Sequence, residues 1–399
     1  MISAERMRRL GTETAFEVLA RAKKLESEGR RVVHLEIGEP DFNTPEHIVE
    51  AAVEALRNGW HHYTPSAGIL PLREAIAAEI SRTRNITVHP DQVVVTPGGK
   101  PIIFFSMLAL VNHGDEVIYP NPGFPIYESM IRFAGGVPVA APLREELDFR
   151  MDVDEVISLV TDRTRLVVLN SPNNPTGSAL EQDDLEKLAS ALGDHNLLFF
   201  SDEIYSHMTY DCQALSIASV PGMQQKTIIL DGFSKTYAMT GWRLGYGVFP
   251  SADLAALITK LMVNSNSCTA AFTQMAGLAA LTGDHTPVRQ MIQTFELRRN
   301  RVVELLNQIP GVSCRLPRGA FYVFPNVKSF SMKSSELASL LLKEAGVALL
   351  SGTAFGEYGE GYLRLSYATS MELLEEGIGK MAETLGKLKL SPSVPSALK

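Results

Sequence analysis

A lysine beyond an apolar segment is the residue of this sequence with the clearest potential for chemistry. Lys235 closely follows the apolar run Ile228–Leu230. An amine in such a place can form a Schiff base with a carbonyl group once it loses its proton. Arg243, eight residues later, can return to the same site and clamp a phosphate. A single lysine after a strand is usually a solvated surface residue, so this interpretation depends on the neighbouring motifs.

A second segment ends an apolar run in acidic and phenolic side chains. Asp202 and Tyr205 follow the run Leu197–Phe200. A carboxylate beyond so apolar a run should be poorly solvated and needs a positive partner. A pyridinium nitrogen would supply one and would itself be kept protonated by the carboxylate. The competing interpretation is that Ser201 or Asp202 caps a helix.

Two turns complete the set of chemically suggestive segments. Gly98 and Gly99 precede Lys100 and an apolar helical stretch, so backbone amides there can approach an anion at a helix N-terminus. The run Ser171–Gly177 predicts a rigid turn that can hold an amide side chain against a ligand. Either turn could also be a plain connection. Together, the four segments suit one ligand with a phosphate, an aromatic nitrogen and an aldehyde.

The elements that must position these segments alternate between strands and helices from about residue 46 to residue 285. This alternation predicts an α/β fold with a mainly parallel sheet covered on both faces. Ligands bind beyond the carboxyl ends of such strands, so the four segments should meet at one edge. The predicted strands are Gln92–Thr96, Glu116–Tyr119, Arg165–Asn170, Leu197–Ser201, Thr227–Leu230 and Leu244–Phe249. The predicted helices include Glu46–Arg57, Pro101–Leu110, Phe124–Phe133 and Glu181–Leu192.

The pattern changes after Asp284, which predicts a second domain. A long Arg-rich helix over about Pro287–Gln308 is followed by short strands near Phe321–Phe324 and Tyr362–Ser366 and by a terminal helix. We expect residues 46–285 to form a large domain. Residues 1–45 and 286–399 are expected to form a smaller α+β domain from both chain ends.

The bulk properties narrow the class of protein. The chain has 399 residues, 45% of them hydrophobic, and a net charge of −8. Such a charge argues against general affinity for nucleic acid or anionic lipid. The three cysteines have no CxxC spacing, so we expect neither a disulfide framework nor a metal site. No signal peptide or membrane-spanning run is present, which predicts a cytoplasmic protein.

Four motifs taken together resemble those of fold-type-I pyridoxal-phosphate enzymes of the class I/II aminotransferase family. They are Gly38–Phe42, Ser171–Gly177, Ser201–Tyr205 and Ser234–Arg243, and the similarity extends from about Thr14 to Thr384. Within that family the chain resembles the bacterial aspartate aminotransferase branch, which carries a lysine in its first glycine turn. The resemblance implies a seven-stranded sheet, pyridoxal 5′-phosphate as cofactor and a homodimer with shared active sites.

The resemblance also implies roles for individual residues toward the cofactor. Lys235 would bind it as a Schiff base and later move the substrate proton, and Asp202 would pair with the ring nitrogen. The other residues implied to bind the cofactor are Asn174 and Tyr205 at the phenolic oxygen, Phe124 on the ring face, Gly99, Lys100 and Arg243 at the phosphate, and Tyr63 from a partner subunit. Gly232 departs from the pattern, because many relatives have a phosphate-binding serine there, and it predicts somewhat weaker affinity.

For the substrate, the resemblance implies a ping-pong aminotransferase acting on aspartate and 2-oxoglutarate. Arg364 would grip the α-carboxylate, assisted by Gly38 and Asn174, while Lys100 and Thr14 would meet a distal carboxylate. The same motifs occur in relatives that act on alanine, aromatic or other neutral amino acids. A different reaction on the same cofactor, such as elimination, racemisation or oxidation, also stays open. The chain lacks the glycine motifs of nicotinamide dehydrogenases and P-loop enzymes.

Overall fold

The computed structural model describes residues 3–390. Residues 1–2 and 391–399, which belong to the predicted smaller domain, lie outside the described part. The helices are α1 (Ala15–Ser27), α2 (Glu46–Arg57), α3 (Leu70–Arg84), α4 (Lys100–Leu110), α5 (Ile126–Ala134), α6 (Val153–Leu159), α7 (Gln182–Leu192), α8 (Ala252–Ser265), α9 (Ala271–Thr282), α10 (Thr286–Asn307), α11 (Ser334–Leu340) and α12 (Met371–Leu385). The strands are β1 (Val33–His34), β2 (Val93–Thr96), β3 (Glu116–Asn121), β4 (Val137–Pro142), β5 (Thr164–Asn170), β6 (Leu198–Asp202), β7 (Thr227–Gly232), β8 (Gly245–Val248), β9 (Tyr322–Val323), β10 (Val347–Ala348), β11 (Leu350–Ser351) and β12 (Leu363–Ser366).

The central feature is a seven-stranded sheet in the order β2-β8-β7-β6-β5-β3-β4. All neighbouring strands in it are parallel except that β8 runs antiparallel to both β2 and β7. Two antiparallel steps restore the direction, so β2 runs the same way as β7. The carboxyl ends of β2, β5, β6 and β7 therefore meet at one edge, together with the start of β8. The predicted α/β fold with a mainly parallel sheet is confirmed.

Apolar residues on both faces bury this sheet. Along β5, Leu166 and Val168 pack in one cluster with α4, α5 and α8, whereas Val167 packs in another on the opposite face. Successive side chains of a strand point to opposite faces, so a strand covered on both faces is apolar throughout. Helix α2 buries Ile48, Ala52 and Ala55, which recur at helical spacing.

The strand β4 was not among the strands named from the sequence pattern. Its six residues include Pro138 and Pro142, which cannot donate ladder hydrogen bonds. The sheet order places β4 at an edge, where strands tolerate proline. These prolines are the reason why the residue pattern alone does not indicate a strand here.

The two ends of the chain pack together next to the main sheet. Strand β1 pairs in parallel with β10, and the order β11-β12-β9 forms a small antiparallel sheet. Ser366 at the end of β12 donates a backbone hydrogen bond to Leu35, just after β1. One apolar cluster joins Val33 and Leu35 to residues of α10, α12 and β9. The exact boundaries of the two predicted domains stay a prediction.

Candidate active site

A cleft of about 480 Å³ opens at the carboxyl edge of the main sheet. Helix α1, the segment after β1 and strand β12 contribute its other walls. With the exception of Tyr63, every site residue predicted from the sequence lines it, namely Thr14, Gly38, Gly99, Lys100, Phe124, Asn174, Asp202, Tyr205, Lys235, Arg243 and Arg364. Residues from eight separate parts of the chain thus converge, as expected for ligands at the strand ends.

Lys235 lies in this cleft with its amine held by the backbone. Its Nζ donates a hydrogen bond of 2.6 Å to the carbonyl oxygen of Gly38. Burial, against the opposing pull of Glu39 and with help from the positive charges of Arg243 and Lys100, lowers the pKa of Lys235 to about 8. An amine with such a pKa is partly unprotonated near neutral pH, which a nucleophilic lysine requires.

Asp202 is a buried carboxylate at the end of β6. Its Oδ2 accepts a hydrogen bond of 2.5 Å from the phenol of Tyr127, and its Oδ1 accepts one of 3.3 Å from the backbone of Ile204. Burial raises the pKa of Asp202 to about 6 in spite of the Tyr127 hydrogen bond. Such a carboxylate gains from a cationic partner in the cleft. No α-helix begins here, so Asp202 is not a helix N-cap, although it does bond the following turn.

The phenols of Tyr205 and Tyr322 meet beside Gly38. The hydroxyls of Tyr205 and Tyr322 are 2.8 Å apart, and burial raises the pKa of Tyr205 well above its ordinary value. A Cβ atom on Gly38 would lie 2.0 Å from the Tyr322 hydroxyl, so this position has no room for a side chain. Tyr322 was missed from the sequence, although the short strand around it was predicted.

Asn174 presents an amide oxygen to the cleft. Its backbone N–H is held by Asn170 Oδ1 at 3.0 Å, within the turn after β5. Its own Oδ1 is buried and has no hydrogen-bond partner among residues 3–390. Buried polar atoms are almost always bonded. An unpaired amide oxygen that lines a cleft is therefore suited to a polar ligand group.

The part of the cleft beside Gly99 is suited to an anion. Helix α4 begins directly after Gly99, so the free N–H groups and the dipole of its first turn face this part. Arg243, just before β8, donates from Nη1 to Thr240 O at 2.8 Å. A Cβ atom on Gly98 would lie 2.1 Å from Arg243 Nη2, which shows how closely the guanidinium covers this turn. Ser234 also lines the cleft and offers a hydroxyl that sequence reasoning did not use.

Gly232 lies at the end of β7, opposite Gly245 of β8. A Cβ atom on Gly232 would lie 3.0 Å from Gly245 Cα and 3.3 Å from the side chain of Ile204. The close strand pairing therefore leaves little room for the serine that many relatives have. Weaker cofactor affinity stays a prediction.

Arg364 is a buried guanidinium on β12. Its Nη2 donates to the carbonyl oxygen of Glu36, and its guanidinium lies 4.5 Å from the ring of Tyr322 and 5.2 Å from that of Phe355. Its Nε has no partner within the described part of the chain. Burial lowers the pKa of Arg364. A desolvated guanidinium with an unused N–H suits a carboxylate held by parallel hydrogen bonds.

Behind the cleft lies a buried ionic cluster that the sequence did not reveal. Arg84 Nε bonds Glu203 at 2.7 Å, and its Nη2 lies 3.3 Å from Asp231. Burial raises the pKa of Asp231 to about 7, against the pull of Arg84. Glu203 directly follows Asp202 at the end of β6, and Asp231 lies near the end of β7, shortly before Lys235. The Arg84 guanidinium therefore connects the ends of the two strands that carry reactive groups.

Tyr63 is the predicted site residue that this chain does not bring to its own cleft. Its side chain is 88% exposed. The sequence predicts that Tyr63 reaches the site of a partner subunit, and this role stays a prediction. Residues 3–390 contain neither a helix able to cross a membrane nor a cluster of potential metal ligands.

The arrangement fits pyridoxal phosphate. A lysine of low pKa suits the aldehyde, buried Asp202 suits a ring nitrogen that carries a proton, and the unpaired Asn174 oxygen suits a polar ring substituent. The helix end at Gly99 and the guanidinium of Arg243 suit the phosphate. Fold and cleft together define an enzyme that works on small molecules through a reactive lysine.

The chain belongs to the family of class I and II aminotransferases, whose model matches residues 30–381. It is 43% identical over 364 residues to an aspartate aminotransferase from Pyrococcus abyssi, which covers 90% of this chain and 93% of that protein. It is 42% identical over 363 residues to aromatic-amino-acid aminotransferase 2 from Thermococcus litoralis, with the same two shares. The solved structure of the aspartate aminotransferase from Thermus thermophilus with maleate superposes with a TM-score of 0.92 at 36% identity, over 96% of this chain and all of that one. The protein is therefore a pyridoxal-phosphate-dependent aminotransferase, as the sequence predicted.

Proposed function

We propose that this aminotransferase transfers the amino group of aspartate to 2-oxoglutarate. The observation that carries the proposal is the pair of cations that line the cleft together with Lys235. Arg364 is buried with an unused N–H, and Lys100 brings an ammonium to the mouth. Two cations suit a substrate with two carboxylates. Relatives named aspartate aminotransferase support this choice of substrate.

We assign roles to the chain's own residues as follows. The bound cofactor supplies an aldehyde for amino groups and a ring that withdraws electrons from the substrate Cα. Arg364 orients the substrate through its α-carboxylate, and Asn174 holds a polar group of the ring. Lys235, with its amine free, would accept the proton from the substrate Cα and would deliver it to the C4′ carbon of the cofactor. Asp202 keeps the ring nitrogen protonated, with Tyr127 restraining the carboxylate.

The proposed substrate is tested by steady-state kinetics. We expect kcat/KM for aspartate to exceed the values for alanine and phenylalanine, with 2-oxoglutarate as acceptor. Lys100→Ala should lower the aspartate value selectively, whereas Lys260→Ala on α8, outside the cleft, should change none. Equal preference for all three amino acids in the wild type would contradict the choice of aspartate.

A second candidate is transamination of aromatic amino acids. Phe16 and Ile37 line the cleft, and the Lys100 ammonium already bonds Glu13. An apolar wall beside a neutralised cation would accept an aromatic ring. A relative named aromatic-amino-acid aminotransferase lies at the same level of identity. The comparison of phenylalanine with aspartate separates the two candidates.

We propose that the active enzyme is a cytoplasmic homodimer with shared sites, with Tyr63 reaching the phosphate of the partner's cofactor. The exposure of Tyr63 supports this role, because it leaves the phenol free to reach another copy. Heterodimers of Lys235→Ala and Tyr63→Ala subunits would test it. A Tyr63 donated between subunits restores one wild-type site per heterodimer, whereas a Tyr63 that serves its own subunit restores none. Sedimentation that shows a fully active monomer would also contradict the proposal.

We further propose that residues 46–285 form the large cofactor-binding domain and that 1–45 with 286–399 form the smaller one. The seven-stranded sheet lies within the first range and the chain-end pairing of β1 with β10 within the second. Limited proteolysis should cut near residues 45 and 285 before it cuts inside either unit.

A further inference from the structure

The mouth of the cleft contains a carboxylate that belongs to the protein itself. Glu13 lies just before α1, and its Oε1 bonds the ammonium of Lys100. Both side chains line the cleft and stay partly accessible, with 23% of the Glu13 side chain and 46% of the Lys100 side chain exposed. The Lys100 ammonium also lies 5.5 Å from the centre of the Phe124 ring. The Lys100 ammonium, which would bind the distal carboxylate of a substrate, thus already contacts the Glu13 carboxylate and the face of the Phe124 ring.

The segment that carries Glu13 is anchored in place. Gly11 donates from its backbone to Ser129 Oγ at 2.9 Å and accepts from the same hydroxyl at 3.3 Å. Ser129 lies on α5, the helix that follows Phe124. Only Thr12 separates Gly11 from Glu13. This restraint lowers the entropy cost of the Glu13–Lys100 pair compared with that of a free surface pair.

We propose that the carboxylate of Glu13 competes with the distal carboxylate of a substrate for the Lys100 ammonium. This competition sets the preference between dicarboxylic and apolar substrates. The distal carboxylate of a substrate must displace Glu13 from Lys100. The binding free energy that it gains at Lys100 is therefore offset by the loss of the Glu13–Lys100 ion pair. A substrate with an apolar side chain leaves the pair closed and contacts Phe16 and Ile37 instead. Glu13 therefore broadens the range of substrates. The inference rests on the proposed distal-carboxylate role of Lys100.

Binding of unreactive acids to the holoenzyme tests this directly. Succinate carries two carboxylates, and 3-phenylpropionate carries one carboxylate and a ring. We expect Glu13→Gln to tighten succinate binding about tenfold in isothermal titration, since charge-assisted hydrogen bonds of this kind are among the stronger ones. Binding of 3-phenylpropionate should change less than about twofold. Glu17→Gln, on helix α1 shortly after Glu13 but outside the cleft, should change neither.

The double variant Glu13→Gln with Lys100→Ala shows whether the gain passes through Lys100. We expect it to lose the tighter succinate binding completely. Unchanged or weaker succinate binding in Glu13→Gln would overturn the inference. If aspartate proves a poor substrate of the wild type while Glu13→Gln still tightens succinate, the proposed substrate fails and the inference stands. If aspartate is preferred and Glu13→Gln has no effect, the inference alone fails.

Discussion

The amine of Lys235 donates a 2.6 Å hydrogen bond to the carbonyl oxygen of Gly38, which lies 197 residues earlier in the chain. Lys235 follows the central sheet, whereas Gly38 belongs to the segment after β1 that pairs with the C-terminal part. The contact thus joins the two halves of the cleft at the reactive atom. Gly38 also abuts the Tyr322 hydroxyl, so the position of one backbone segment controls both the amine and a phenol.

Replacement of Lys235 should abolish covalent attachment of the cofactor. Lys235→Ala removes the amine of low pKa in the cleft, so borohydride treatment followed by peptide mapping should find no labelled peptide. Turnover should fall by at least about a thousandfold, by analogy with loss of other covalent nucleophiles. Lys260→Ala should retain the label on the peptide that contains Lys235. A label on any other lysine of the wild type would refute the assignment.

The attachment rate should follow the ionisation of Lys235. Because burial lowers its pKa to about 8, the rate at which the apoenzyme binds pyridoxal phosphate covalently should rise from about pH 7, reach half its maximum near pH 8 and level off above about pH 9. The carboxylate of Glu39 raises this pKa and the ammonium of Lys100 lowers it. Glu39→Gln should therefore move the midpoint down and Lys100→Ala should move it up. Stopped-flow absorbance measures both, and shifts of the same sign would contradict the electrostatic origin.

Tyr127 should contribute to cofactor affinity through Asp202. Tyr127→Phe removes the hydrogen bond to a buried carboxylate, and hydrogen bonds to charged groups contribute about 1.5–3 kcal/mol. We expect cofactor dissociation to become roughly ten- to a hundredfold easier, measured by equilibrium dialysis of the holoenzyme. Tyr119→Phe is a matched control, because its phenol bonds Glu128 instead and does not line the cleft. Equal losses in both variants would indicate a general packing effect.

A methyl group at position 38 should disturb the site through Tyr322. Gly38→Ala places its Cβ atom 2.0 Å from the Tyr322 hydroxyl and should destabilise the fold by about 1–3 kcal/mol. Combination with Tyr322→Phe removes the nearest atom but leaves ring carbons at 2.9 and 3.0 Å, so rescue should be partial. Urea unfolding of both single variants and the double variant gives the coupling energy. If the changes in unfolding free energy of the two single variants simply add in the double variant, the clash of Gly38→Ala lies elsewhere.

Loss of Arg84 should destabilise the protein strongly. Arg84→Met leaves Glu203 and Asp231 buried without their cation, which typically costs about 3–5 kcal/mol. Arg82→Met, two residues away and with a side chain 68% exposed, should cost at most about 1 kcal/mol. Chemical denaturation at neutral pH measures both values. Equal losses of stability in the two variants would mean that the buried ion pairs of Arg84 stabilise the fold no more than an exposed ion pair does.

Folded-state burial also makes the Asp231 carboxyl sensitive to pH. Its pKa is raised to about 7, so between about pH 4 and 7 the folded state binds more protons than the unfolded state. The contribution of this group to stability is therefore present below about pH 4 and is lost as pH rises through 7. Asp231→Asn should flatten that part of the stability profile, measured by thermal unfolding at several pH values. An unchanged profile would exclude Asp231 as its source.

The residue pattern alone was sufficient to predict the alternating strands and the chemistry at their ends. Apolar runs such as Leu197–Phe200 have the length and composition of strands buried on both faces, and Asp202 after such a run already implied a cationic partner. The antiparallel placement of β8 and the proline-containing edge strand β4 did not follow from the pattern, because strand order depends on packing between distant segments.

The contacts across the cleft, in contrast, were decided only by the tertiary structure. Tyr127 meets Asp202 across 75 residues, Tyr322 meets Tyr205 across 117, and Glu13 meets Lys100 across 87. Residue types and local spacing predict which groups can react, because strand ends point to one edge of a parallel sheet. They do not predict which phenol or carboxylate arrives from elsewhere, because such pairing is fixed by the packing of whole elements against one another.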